Sequence, residues 1–295
     1  MRSITVGLCG GIGNQLFQYA MGLAMALRSN ASLKLDIGCF KIDKYYQRAY
    51  TLDRFNIRFN KGIVSTPTIF RIAQRLQYLP HFREPMQSLF SRWFIIEKSA
   101  DFDEYFARLK IDSSVYLMGF WQDERYFSDI KDRIINEFTL LESLSENNAV
   151  IAQHIQETNS VAIHVRRLHQ VQTSDAASPQ EDGEEKGIAL KADYYQRAIH
   201  EISAREHDLH FFVFSDYPEW AKAHLGLSSS AVFLDNDRGP DTEDLVLMSM
   251  CKHHIIANSS FSWWGAYLGG SEKQVVVAPS GVTYMPNIPE RWIAI

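Results

Sequence analysis

The 295-residue sequence predicts an α/β protein in which strands and helices alternate. Three observations predict it. Short runs rich in Val, Ile and Phe recur along the chain between turn residues, as strands covered on both faces do. Between them, apolar residues return at helical spacing. The chain is also long for one core and comfortable for two domains.

In order, strands are expected at 3–9 (SITVGLC), 32–37 (SLKLDI), 115–120 (VYLMGF), 161–165 (VAIHV), 209–214 (LHFFVF), 231–235 (AVFLD), 254–258 (HIIAN) and 274–279 (QVVVAP). Leu16, Ala20, Leu23 and Leu27 share one face of a helix after the first strand. Tyr194, Ala198 and Ile202 do the same in 192–204, and Leu245, Met248 and Cys251 follow the capping-like DTED. The stretch 58–112, rich in aromatics and arginine, is less regular and reads as helices with loops. A polar helical stretch at 128–158 ends in QETNS and carries the expected boundary between domains 1–155 and 156–295. Residues 173–187 (TSDAASPQEDGEEKG) read as a polar surface loop, a lid or a solvated insertion.

Composition excludes several classes. Apolar residues make up 46% and charged residues 22%, ordinary for a water-exposed globular chain. A net charge of −5 gives no footing for nucleic acid held by bulk charge. Cys9, Cys39 and Cys251 form neither a CxxC nor a metal spacing and are expected to be reduced, buried thiols. No run of about 18 apolar residues announces a membrane span, and residues 1–9 are too short for a signal peptide. The expected location is therefore the cytoplasm, with peripheral contact at the inner membrane face. The sequons at Asn30 and Asn258 are read as unmodified.

Four blocks carry candidate chemistry. In CGGIGNQLFQYA (9–20), Gly10, Gly11 and Gly13 let backbone approach a ligand, and a helix start near Asn14 favours an anion. The block lacks the third glycine of a dinucleotide fingerprint and the Gly-Lys-Ser/Thr of a P-loop. Alone, it serves equally well as a strand–helix turn. In VAIHVRRLHQ (161–170), Arg166 and Arg167 follow a buried strand and His164, where ligands of open α/β sheets bind. Guanidinium groups match phosphate with paired hydrogen bonds. In NSSFSWWGAYL (258–268), Ser259 and Ser260 sit at a strand-to-helix junction whose hydroxyls and N–H groups can meet an anion, while Trp263 and Trp264 read as core. Asp235 and Asp237 could hold Mg²⁺ or Mn²⁺ on a nucleotide diphosphate, or form a simple Asx turn.

Together GGIGNQLFQYA, HVRR and NSSFSWWGAYL, with FVFSDYPEW and EDLVLMSMCKHHIIANSS, resemble the bacterial α-1,2-fucosyltransferases of glycosyltransferase family 11. The resemblance runs from residue 9 to about 279. It implies a GT-B fold, two facing Rossmann-like halves with parallel sheets, the first on the acceptor side and the second binding GDP-fucose. It implies an inverting transfer of L-fucose to the 2-hydroxyl of a terminal galactose, on lactose or a lipid-linked oligosaccharide such as an O-antigen unit, with no metal or other cofactor. By position, Arg166 would bind the β-phosphate and stabilise the leaving group, with Arg167 supporting it. His164 would touch guanine or ribose, Asp244 would accept the guanine N1 and N2 hydrogens, and Ser259 and Ser260 would bind phosphate. Asp216 would lie at the nucleotide edge, and Asn14, beside Gly11 and Gly13, near donor phosphate and acceptor. A non-catalytic sugar-binding protein and a metal-dependent transferase using Asp235 and Asp237 are the alternatives.

One departure stands out. The family continues HVRRGDY, whereas here Leu168 and His169 replace Gly and Asp. The general base is left open between His169, whose ordinary pKa of about 6.5 suits the role, and Asp175 in the following loop.

Overall fold

The computed structural model describes residues 2–44, 47–57, 62–78, 93–97, 99–167, 189–234, 239–282 and 286–295. It divides into two compact units, Met1–Phe138 and Thr139–Ile295. No described helix is long and apolar enough to cross a membrane.

The first unit is built on a parallel sheet of β1 (Ser3–Gly7), β2 (Ser32–Asp36), β3 (Gly62–Val64), β4 (Phe94–Ile96) and β5 (Val115–Met118), in the order β3-β2-β1-β5-β4. Helix α1 (Ile12–Ser29) joins β1 to β2 and is buried nearly all round, Leu16, Phe17, Ala20, Met21, Leu23 and Ala24 being inaccessible. Asn30 ends it in the left-handed conformation, φ +48°, its N–H returning to the carbonyls of Ala26 and Leu27. Helix α2 (Pro67–Tyr78) opens on the proline that suits a first helical turn and packs Phe70 and Ala73 against Tyr116 and Met118. Two short helices follow, α3 (Glu104–Arg108), capped by Asp103, and α4 (Lys131–Glu137).

The second unit opens with α5 (Glu146–Glu157) and β6 (Asn159–Val165). It continues through α6 (Ala192–Ser203), β7 (Leu209–Ser215), α7 (Pro218–His224) and β8 (Val232–Leu234). Helix α8 (Asp241–Met250), β9 (His253–Ile255), α9 (Ser260–Gly269), β10 (Val276–Ala278) and β11 (Ile293–Ala294) complete it. Its parallel sheet runs β11-β10-β9-β6-β7-β8. Strand β6 shows why the core of such a run is apolar on both faces. Val161, Ile163 and Val165 face Tyr195, Ala198 and Ile202 of α6, while Ala162 faces Leu247 and Met248 of α8.

Three strands were not expected from the sequence, β3, β4 and β11, and each is an edge strand of two or three residues. At that length the alternation of side chains scarcely repeats, and an edge needs apolar cover on fewer sides. The region 58–112, read as helices with loops, thus carries two strands as well as α2 and α3. The second unit begins at Thr139, ahead of the expected 155/156 boundary. Helix α5 packs Ala152 and Ile155 against Phe212, Phe214 and Leu247, which places it in the second unit.

Each sheet has one point at which strand order reverses, between β1 and β5 in the first unit and between β6 and β9 in the second. Loops leaving the carboxyl ends of strands on either side of such a point form the natural ligand site of an open α/β sheet.

Candidate functional site

The reversal between β6 and β9 gathers most of the residues singled out from the sequence. His164 is 7% exposed near the end of β6, and its buried Nδ1 finds no hydrogen-bond partner among the described residues. Burial, and then the Arg166 charge, lower its pKa to about 3, so the ring is neutral at neutral pH. Arg166 follows on the exit from the strand, its Nε 3.8 Å from Asp216 Oδ2 at the exit from β7. The other carboxylate oxygen of Asp216 accepts the Arg167 N–H at 2.8 Å. Asp216 therefore fixes the backbone at the arginine pair and steers Arg166 at the same time.

The two arginines part company here. Arg167 is fully buried. Its Nη1 donates to the Leu190 carbonyl at 2.9 Å, and its guanidinium lies 4.1 Å above the Trp220 ring. It holds α6 and α7 from behind the site and exposes no surface to a ligand. Arg166 keeps part of its side chain, 22%, in solvent.

Across the reversal, β9 leads through Asn258 and Ser259 into α9. Ser259 is the N-cap, its Oγ accepting the Phe261 N–H at 3.3 Å. Ser262 ties the turn, its Oγ accepting the Ala257 N–H at 3.2 Å. The Phe261 ring is 5.4 Å from that of His164, which sets the first turn of α9, with the half-buried Ser260, beside the end of β6. The N-terminal N–H groups of α9 and the Arg166 guanidinium belong to neighbouring strand ends, the chemistry an anion seeks. Trp263 and Trp264 are core as expected, both inaccessible, with Trp263 Nε1 donating to the Asn287 carbonyl.

Asp244 is half-buried in the first turn of α8. Its neighbour Glu243, which sequence reading passed over, is buried and accepts from the Ser145 N–H, the Ser145 hydroxyl and Asn148 Nδ2 at 3.0, 2.8 and 2.7 Å. It latches the start of α5 to α8.

In the first unit the glycine turn serves the fold as well as any ligand. Gly10 has φ +78°, and a Cβ there would meet Asn14 Nδ2 at 2.6 Å. Gly11 is the N-cap of α1, and Gly13 is buried in its first turn. Asn14 Oδ1 accepts from Gln122 Nε2 at 2.8 Å. Gln15 and Gln18, both fully buried, explain the rest of the block. Gln15 donates to the Gly10 and Ala49 carbonyls and accepts the Thr51 N–H, while Gln18 accepts the Cys9 N–H and donates to the Gly119 carbonyl. Two amides in a hydrophobic helix were the available signal. Asp36, at the end of β2 where a dinucleotide fold offers an acid to ribose, is fully buried and accepts from the Gly38 and Thr66 N–H groups and the Thr66 and Tyr116 hydroxyls. That use of Asp36 agrees with the incomplete fingerprint.

His169, Asp175, Asp235 and Asp237, with the loop 173–187, lie outside the described residues. Among the described residues no cluster of three or more His, Cys, Asp or Glu side chains could hold a metal ion. Cys251 is a buried free thiol, and Cys9 and Cys39 are free and half-buried.

Two α/β units, each built on a parallel sheet with one strand-order reversal, are the components of the GT-B fold. The fucosyltransferase NodZ from Bradyrhizobium shares the fold, with a TM-score of 0.53 over 90% of this chain and 92% of NodZ at 14% identity. A second crystal, of NodZ as an α-1,6-fucosyltransferase soaked with GDP-fucose, gives 0.52 at 15% identity over the same 90% and 92%. The model of Glycosyl transferase family 11 matches residues 3–286, and the chain belongs to that family. An α-1,2-colitosyltransferase of Escherichia coli is 31% identical over 100% of this chain and 99% of its own length. Galactoside α-(1,2)-fucosyltransferase 1 of Saimiri boliviensis boliviensis is 26% identical over 89% of this chain and 64% of its own length.

Proposed function

We propose that the protein transfers L-fucose from GDP-fucose to the 2-hydroxyl of a terminal galactose, with inversion at the anomeric carbon and without a metal ion. The observation that carries this reading is the guanidinium of Arg166, part-exposed and steered by Asp216, at the strand end next to the capped N-terminus of α9. The donor sugar is β-linked to GDP and the product α-linked. The acceptor hydroxyl therefore attacks from the face opposite the diphosphate, through a transition state of oxocarbenium character. As the glycosidic bond breaks, charge grows on the β-phosphate. Arg166 and the N–H groups at the start of α9 meet that charge in place, with Ser259 and Ser260 adding hydroxyls, and take the part a divalent cation plays in other transferases. Arg167 supports this from within the unit. His164, neutral and with Nδ1 unpartnered among the described residues, offers a buried hydrogen-bonding atom beside the nucleotide, and Asp244 an acceptor for the guanine edge. The general base stays with His169 or Asp175.

The acceptor is a β-galactoside such as lactose or a lipid-linked oligosaccharide, and a lipid-linked acceptor calls for a cytoplasmic enzyme working at the membrane surface. The similarity to a colitosyltransferase favours one second reading, that the donor sugar is colitose, which is fucose without its 3-hydroxyl. A donor screen with lactose and excess chelator separates these. Turnover with GDP-fucose and none with GDP-mannose supports the proposal. Preference for GDP-colitose moves the donor assignment, and loss of activity with chelator moves the charge compensation to Asp235 and Asp237.

A further inference from the structure

The strand-order reversal of the first unit carries a feature that fucosyl transfer, as proposed above, leaves unused. Beyond β5 the chain turns sharply through Gly119–Gln122, beside the glycine turn that follows β1. The turn is strained. Gly119 has φ +154°, and a Cβ there would sit 2.4 Å from Glu97 Cβ and 2.9 Å from Trp121 Cε2. Trp121 has φ +56°, unusual for a bulky side chain. Such conformations persist only where their surroundings impose them, and they concentrate at functional sites.

Here the surroundings are explicit. The Glu97 carboxylate accepts the Phe120 N–H at 2.6 Å and the Trp121 N–H at 2.8 Å. Gln18 of α1 donates to the Gly119 carbonyl at 3.1 Å. The Trp121 ring is fully buried, edge-on to Phe106 and Tyr126 at 5.4 and 5.5 Å. Phe120 stays 40% exposed. Next to it Gln122 donates across the reversal to Asn14, and among the described residues the Gln122 carbonyl oxygen and second N–H have no other partner.

An exposed aromatic ring beside side-chain amides, at a ligand-binding position of the sheet, suits a sugar, and the Arg48 guanidinium, about 4 Å from where a Cβ on Gly11 would sit, adds a hydrogen-bond donor at its edge. The C–H face of galactose, opposite its axial 4-hydroxyl, stacks on such a ring, and amides exchange hydrogen bonds with its hydroxyls. We propose that Phe120 and Gln122 are specificity-determining residues for the acceptor galactose, with Phe120 stacking on its C–H face, Gln122 with Asn14 reading its hydroxyls, and Glu97 acting as the positioning residue that holds the turn. This rests on the galactoside-transfer reading above.

The test uses the intact protein and lactose. Saturation-transfer NMR, which needs no turnover, should show the galactose C–H protons in contact with wild type and lose that contact in Phe120→Ala. In steady state, Phe120→Ala should raise the acceptor KM at least about tenfold and leave the donor KM unchanged, Phe120→Tyr should stay near wild type, and Glu97→Gln should raise the acceptor KM without altering GDP binding. Lactose contact that survives in Phe120→Ala, an acceptor KM within twofold of wild type, or an equal rise in donor and acceptor KM overturns the proposal. A wild type that binds lactose at Phe120 yet transfers nothing to it leaves the subsite standing and removes the transferase reading instead.

Discussion

At the end of β6 stand a guanidinium, a carboxylate that steers it and the capped start of a helix, whereas the end of β5 offers a phenyl ring, two side-chain amides and a carboxylate spent on backbone N–H groups. Both regions occupy the same topological position in a parallel sheet, the point where strand order reverses. One sets a guanidinium against a carboxylate, the other sets a ring and amides foremost and keeps its cation, Arg48, at the edge by Gly11. Topology supplied the place twice, and side chains chose the chemistry each time. The carboxylates make the point most sharply. Asp216 faces a cation and organises it, while Glu97, with no cation among its partners, is turned to backbone, and burial raises its pKa.

Breaking the charged region should have the largest effect. Arg166→Ala should lower turnover at least about 100-fold, a barrier increase of roughly 3 kcal/mol, with the acceptor KM unchanged. Near wild-type turnover in a folded variant would take Arg166 out of the mechanism. Gly119→Ala strikes the region after β5, where the side chain would demand a disfavoured φ and clash with Glu97. About 2 kcal/mol of stability should be lost, read as a lower urea midpoint, and the acceptor KM should rise while GDP affinity holds.

The charged region also carries a pH signature. His164 stays unprotonated in the folded protein down to about pH 3, whereas the unfolded chain takes up that proton near pH 6.5. Its contribution is complete above pH 6.5 and declines as pH falls towards 3, by up to about 1.4 kcal/mol per pH unit. His164→Gln should flatten the acid limb of the stability curve by that slope, and an unchanged slope would place the proton elsewhere. His254, held near 4 by burial, adds a similar slope that the variant retains. The smallest change is Ser259→Ala, which removes the α9 cap and should cost about 1 kcal/mol in thermal or urea unfolding. It should raise the donor KM more than the acceptor KM.

Legibility followed length and burial. Strand β6 was evident in the sequence over 161–165, where Val161, Ala162, Ile163 and Val165 cover both faces, as were α1, α6 and α8 by their spacing. Edge strands β3, β4 and β11 were not, being two or three residues long and only partly buried, whereas the equally short β8, β9 and β10 lie in the apolar runs AVFLD, HIIAN and QVVVAP. In the site, Arg166, Asp216, Ser259 and Asp244 were named from motif and position. Glu97, Gln18 and Glu243 were not, since what they hold lies far along the chain: backbone groups of the β5 turn for Glu97 and Gln18, and Ser145 and Asn148 for Glu243.

The sequence by itself determined the alternating α/β plan, the buried central strand and the presence of two arginines at its end. Only the tertiary structure decided which arginine faces outward. Successive side chains in extended backbone point to opposite sides. Trp220 and the Leu190 carbonyl, brought in by segments far along the chain, drew Arg167 inside and left Arg166 to the site.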